Sequence, residues 1–165
     1  MKMNMRTFAS VLTVIVAAWS GIASGGQEPL VVPREASIVF VCEHGAAKSV
    51  IAATFFNRLA AERGLRERAI YRGANPQADL SPATVKGLRD DGLLPPMDKT
   101  SPISLSEVDT ATYIFAIGCT LPANAADSGK AEKWTDVPEV SDGYGAARDA
   151  IRRHVEHLIM RLQNR

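Results

Sequence analysis

Between Ser37 and Cys42 the chain reads SIVFVC, apolar on successive positions rather than on alternate ones. A strand covered on both faces has this pattern, as in a parallel sheet with helices on either side. Ser49–Arg63 switches to the helical period: Ile51, Phe55 and Leu59 share one face, with Ala52 and Phe56 beside them. Gly64 follows as a stop. Ala69–Gly73 reads as a second short strand, closed by an Asn75-Pro76 turn. Ser81-Pro82 supplies an N-cap and a proline at the first helical position, predicting a helix to about Asp91, with Gly92 beyond it. Leu93–Thr100 is loop, and Ser106–Asp109 a turn or short helix. Thr112–Gly118, TYIFAIG, is a third strand. Cys119–Glu132 reads as a long loop, Lys133–Trp134 as a brief last strand, and Val137–Gly145 as loop. Ala146–Leu162 carries Ile151, Val155, Leu158, Ile159 and Leu162 in helical register. Strands alternating with helices imply an α/β domain with a parallel sheet. Ligands in such folds bind where strand ends meet helix N-termini, so the loop after the first strand becomes the first place to look.

The start of the chain is patterned differently. Met1–Gly25 holds Lys2 and Arg6 and no acidic residue, and Phe8–Trp19 is apolar apart from Ser10 and Thr13. Small residues follow from Gly21. This order predicts a signal peptide over residues 1–25, cut after Ser24 or Gly25. The rivals are an uncleaved membrane anchor, for which the run is short against the about 20 residues of a bilayer span, and a start codon placed too early. The expected domain is then 36–165, after a leader containing Pro29 and Pro33. Its expected location is the periplasm or the medium, or the membrane surface if the anchor is retained.

Composition narrows the function classes. At 165 residues the chain fits one domain, and 46% hydrophobic residues suffice for a core. Lys and Arg number 19 against 18 Asp and Glu, so no bulk basic surface suits nucleic acid. Two cysteines exclude a disulfide-dense scaffold, and with three histidines they leave little for a structural zinc site.

The chemistry concentrates in VFVCEHGAAKS, Val39 to Ser49. Cys42 leaves the strand and Ser49 opens the helix. Gly45, Ala46 and Ala47 let the backbone curl so that several N–H groups point inward, an anion site at a helix N-terminus. The same field favours a thiolate, and Lys48 adds positive charge. Ser49 is placed to hydrogen-bond the sulfur. The residues equally allow a buried cysteine beside an ordinary turn. A GxxxxGK[ST] phosphate loop does not fit, because Ala47 precedes the lysine.

The loop resembles the C-x5-R-S signature of the low-molecular-weight protein tyrosine phosphatases and the related arsenate reductases. Cys42, the five residues Glu43 to Ala47, Lys48 and Ser49 carry the match. RGANP at Arg72–Pro76, the helix from Ser81, AIGC at Ala116–Cys119 and WTDVP at Trp134–Pro138 extend it over most of the presumed domain. The resemblance implies a three-layer α/β sandwich around a four-stranded parallel sheet. It implies Cys42 as nucleophile, Lys48 as oxyanion clamp, Ser49 as the group tuning the thiolate, and Asp136 as general acid. The oxyanion would lie over Glu43, His44, Gly45, Ala46, Ala47 and Lys48.

Several residues depart from the pattern. Lys48 replaces arginine, so charge is kept and the two-pronged fork is lost. Glu43 adds a negative charge beside Cys42 and is expected to face solvent. Gly45 stands where the family has a bracing asparagine, which predicts a softer loop. Cys119 stands at the first of two redox positions of the reductases, and no second cysteine follows. It is a candidate redox partner of Cys42 or a core cysteine. Val137 separates Asp136 from Pro138 with no aromatic after it, which weighs against phosphotyrosine and toward a small oxyanion. His154 and His157, three apart, are expected at the solvent boundary of the last helix rather than at a metal.

Three functions remain open: a phosphomonoesterase, phosphotyrosine included; an arsenate reductase; and an oxyanion-binding or redox-responsive protein with weak turnover. No resident cofactor is expected, and a reductase would need an external thiol or thioredoxin-like reductant. Phosphate, arsenate or a phosphomonoester are the expected partners, with neither nucleic acid nor a stable membrane partner.

Overall fold

The computed structural model describes residues 37–165; the expected signal segment and the leader after it lie outside them. Four strands, β1 (Ile38–Cys42), β2 (Ala69–Gly73), β3 (Tyr113–Ile117) and β4 (Ala131–Trp134), form one sheet in the order β2-β1-β3-β4. Every pairing is parallel. The helices are α1 (Lys48–Glu62), α2 (Pro82–Asp90), α3 (Leu105–Thr110), α4 (Ala123–Ala126) and α5 (Tyr144–Gln163).

The continuous apolar run of β1 follows from its central place, paired on both edges and buried at all five residues. Ile38, Phe40 and Cys42 face a cluster built with α1, α2 and α5, whereas Val39 and Val41 face a smaller one containing Val108 of α3 and Ala125 of α4. That alternation makes three layers, as expected. Phe40 is the pivot of the larger cluster, with ring centroids 5.3 Å from both Phe115 and Trp134. Offset pairs of this kind add about 0.5–1.5 kcal/mol each beyond buried area.

The helix starts are set locally. Ser81 Oγ accepts from Thr84 N–H with Pro82 at the first helical position, and Ser104 with Glu107 forms a reciprocal cap on α3. Helix α1 differs: Ala47 gives it no side-chain cap, and its first turn holds no acidic residue. Its N-terminal amides open directly onto the loop after β1.

Two stretches differ from expectation. The loop predicted over Cys119–Glu132 contains the one-turn α4 and the start of β4. Four residues after Pro122 are too few to show a period. Strand β4, AEKW, sits at the sheet edge and buries only Trp134 fully, so its pattern is mostly polar. The loop over Val137–Gly145 contains a 3-10 turn at Val140–Asp142.

Candidate active site

The loop Glu43–Ala47 is held from behind by its own carbonyls. Cys42 O accepts from Ala74 N–H (3.0 Å), Glu43 O from Asn75 N–H (2.7 Å), His44 O from Gln77 N–H (3.2 Å) and Ala46 O from Ser81 N–H (2.9 Å). These four carbonyls bond the segment between β2 and α2. Among the described residues, the N–H groups of Glu43 through Ala47 donate to no backbone carbonyl. Loop amides without a backbone partner at an uncapped helix start offer a place for an oxyanion.

Gly45 is the residue that makes this curl. Its φ is +63°, and a Cβ there would stand 2.0 Å from Thr100 Oγ1 and 2.6 Å from Gly73 N. The glycine therefore does not soften the loop; it lets the loop press against β2. Gly45→Ala is expected to cost about 2–5 kcal/mol, from left-handed backbone strain plus overpacking. Urea unfolding of the two proteins checks this, and the variant should also bind phosphate less tightly.

Cys42 Sγ lies 3.1 Å from Ser49 Oγ, both side chains buried. Either the hydroxyl or the thiol can donate across this contact. The sulfur lines an open cavity of about 600 Å³ that also contains Lys48 and Glu139. Lys48 is 7% exposed, while Glu139 is 64% exposed. The ammonium donates to Glu139 Oε1 at 2.6 Å. Its stem passes against Gly118, where a Cβ would come within 2.6 Å of Nζ. Glycine at that position, with φ +62°, leaves the ammonium unobstructed.

Glu43 and His44 are exposed. His44 Nδ1 donates to Asn75 O at 3.3 Å, one more tie between the loop and the segment after β2.

Asp136 is not brought to this cavity. It follows shortly after β4, is 66% exposed, and its Oδ1 accepts from His154 Nε2 on α5 at 2.7 Å. That hydrogen bond from His154 holds its carboxyl below the usual carboxylate range. His154 is itself fixed by stacking on Trp134, centroids 4.5 Å apart and 13° between planes. One oxygen of this carboxylate is thus held toward α5. The acids lining the cavity are Glu43 of the loop and, on the segment after β4, Glu139. Sequence reasoning passed Glu139 over because it lies just beyond the segment that carried the resemblance, and a loop shows no side-chain direction.

Cys42 and Cys119 are both free thiols. Cys119 is half-buried just past β3, and its Sγ donates to Val41 O at 3.5 Å. Burial, then the neighbouring Cys42 and Glu43, push the Cys119 thiol up to about 11.

No family model and no curated protein matches the chain by sequence. Solved structures do. A low-molecular-weight phosphotyrosine phosphatase from Vibrio cholerae superposes with a TM-score of 0.67 at 15% identity, over 78% of this chain and 97% of that one. The fold is that of the low-molecular-weight phosphatases. Two further structures share this phosphatase fold. The arginine phosphatase YwlE, known from Bacillus subtilis, gives a TM-score of 0.68 at 19% identity, over 76% of this chain and 95% of that one. A thioredoxin-dependent arsenate reductase from Corynebacterium glutamicum gives 0.66 at 19% identity, over 81% of this chain and 64% of that one. Among the described residues, no helix is long and apolar enough to cross a membrane.

Proposed function

We propose that this chain is a cysteine-dependent phosphatase that hydrolyses a phosphomonoester through a phosphoryl-cysteine intermediate. The observation that carries the reading is the seat itself: Cys42 Sγ on Ser49 Oγ, beside loop amides that have no backbone partner, at the uncapped start of α1. The phosphatases and arsenate reductases that share the fold support the choice of reaction class.

In this reading the phosphoryl group sits over the loop, its equatorial oxygens on the amides of Glu43 to Lys48. The Cys42 thiolate attacks phosphorus in line, and the amides meet the charge that develops there. Ser49 holds the sulfur's lone pair in place and helps it leave in the second step. Lys48 neutralises one oxygen as a point charge rather than as a fork, which favours a small or flexible ester over one that needs two-pronged registry.

Phosphatase chemistry is favoured over arsenate reduction by Cys119. A disulfide relay within this chain needs Cys119 as a thiolate to attack the arsenylated sulfur, and a thiol pushed up to about 11 is protonated at neutral pH. The test is to give the reduced protein an aryl phosphate, and separately arsenate with thioredoxin and its reductase. Phosphate release with no arsenate-dependent consumption of reductant supports the proposal. The opposite pattern replaces it with reduction.

Export is proposed with the same chain. Intact mass of protein recovered from outside the cytoplasm should correspond to a start at Gly25 or Gly26, after removal of the basic and apolar segment. Recovery of the full-length mass from the membrane fraction would favour the anchor.

A further inference from the structure

The cavity over Cys42 carries both signs of charge, at different depths. Lys48, buried, is its one lysine or arginine among the described residues. Glu43 and Glu139 are exposed and line it from two separate segments, the loop after β1 and the stretch after β4. Among the described residues, no Phe, Tyr or Trp lines it. We propose that the ester this cavity selects is an aminoalkyl phosphate, whose ammonium lies a few bonds beyond the ester oxygen and is recognised by Glu43 and Glu139. The proposal rests on the phosphatase reading and names its substrate class.

Distance sets the fit. Glu139 Oε1 is 2.6 Å from Lys48 Nζ, the atom expected to meet a phosphoryl oxygen. An ammonium meets such an oxygen at about 2.8 Å, so the carboxylate stands within about 5 Å of the phosphoryl group. A short carbon chain ending in an ammonium spans that gap. A longer chain would carry its cation past Glu139 into open solvent.

Charge points the same way. A phosphoryl dianion on Lys48 brings negative charge against Glu139, and Glu43 adjoins the same seat. Alone, the two carboxylates oppose the dianion. An ammonium on the leaving group pairs with them and turns that opposition into selection. An ester ending in a carboxylate meets the reverse, because like charges are set together. The remaining lining is neutral or already engaged. The wall next to α2 offers Ser81, Pro82 and Ala83, and the stretch after β4 offers Val140 and Ser141, so an aryl group finds no ring to pack on. His44 is tied through Nδ1 to Asn75 O.

Phosphonates, which are not hydrolysed, read recognition apart from chemistry. The probes are aminopropylphosphonate with its amine at the chain end, butylphosphonate as its neutral isostere, and phosphonobutyrate, which ends in a carboxylate. Each is titrated calorimetrically into the reduced protein, with inorganic phosphate as reference. The ammonium probe should bind about three- to tenfold more tightly than the neutral one, and the carboxylate probe more weakly than either. In the double variant Glu43→Gln with Glu139→Gln the three should fall within about twofold of one another. Freeing Lys48 from Glu139 acts on all three alike, so their ratios report the cation alone. Both glutamates are exposed, and retained phosphate binding shows that the variant's seat is intact. No preference for the ammonium probe in the parent, or a preference that survives both substitutions, would overturn the proposal. So would tighter binding of phenylphosphonate than of the ammonium probe, which would give the cavity to aryl esters. Failure of phosphate and of every phosphonate to bind would remove the oxyanion seat and the phosphatase reading with it. Equal binding of all three leaves that seat standing and removes only the cation.

Discussion

Cys42→Ser is expected to lower phosphate release from an aryl phosphate by on the order of 10³-fold or more, because nucleophiles that form covalent intermediates carry losses of this size. A serine hydroxyl fits the space of the thiol but is a far weaker nucleophile at neutral pH. The loop amides and Lys48 remain, so binding of inorganic phosphate should survive. The expected pattern is therefore a collapse of kcat with a phosphate inhibition constant within a few-fold of the parent. Equal loss of binding and turnover would mean that the substitution had disturbed the loop. Retained turnover would mean that the chemistry takes place elsewhere.

The second large effect is expected at Lys48. Among the described residues that line the cavity it is the one lysine or arginine. Lys48→Met keeps the stem packed against Gly118 and removes the charge. Loss of a transition-state donor of this kind costs on the order of 10²–10³ in kcat, and phosphate affinity should fall with it. Folding should be little affected, because the abandoned partner, Glu139, is solvated and leaves no buried unpaired charge. Lys48→Arg is expected to keep most of the activity and to bind phosphate more tightly, since a guanidinium can serve Glu139 and an oxyanion at once. Steady-state kinetics with phosphate as inhibitor, beside thermal melts, checks both variants. A Lys48→Met enzyme with parental kcat/KM would remove Lys48 from the mechanism.

Much of this architecture was readable in advance, for reasons visible residue by residue. SIVFVC announced a doubly covered strand because β1 is central and buried on both faces. Ser81-Pro82 announced α2 because capping is a local matter. The spacing of Cys42 and Ser49 foretold their meeting, since a tight loop between a strand end and a helix start leaves little freedom. What could not be read depended on distant partners. Gly45 looked like a loss of bracing until Thr100 and Gly73 were seen against it. Asp136 sat in the right segment, and only the position of His154 on α5 shows where its carboxylate is held. Glu139 gave no signal at all, because its importance lies in Lys48, 91 positions away. The edge strand β4 and one-turn α4 were faint because neither buries enough to impose a pattern.

The central claim is a covalent phosphoryl group on Cys42, and rapid quenching during turnover tests it most directly. The protein is mixed with excess p-nitrophenyl phosphate, stopped in acid within the first turnovers, digested and mapped by mass. The account predicts one added phosphoryl group on the peptide carrying Cys42, appearing with the burst of nitrophenol and absent from Cys42→Ala. Turnover with that peptide unmodified at every time point, or with the phosphoryl group on another residue, would contradict it.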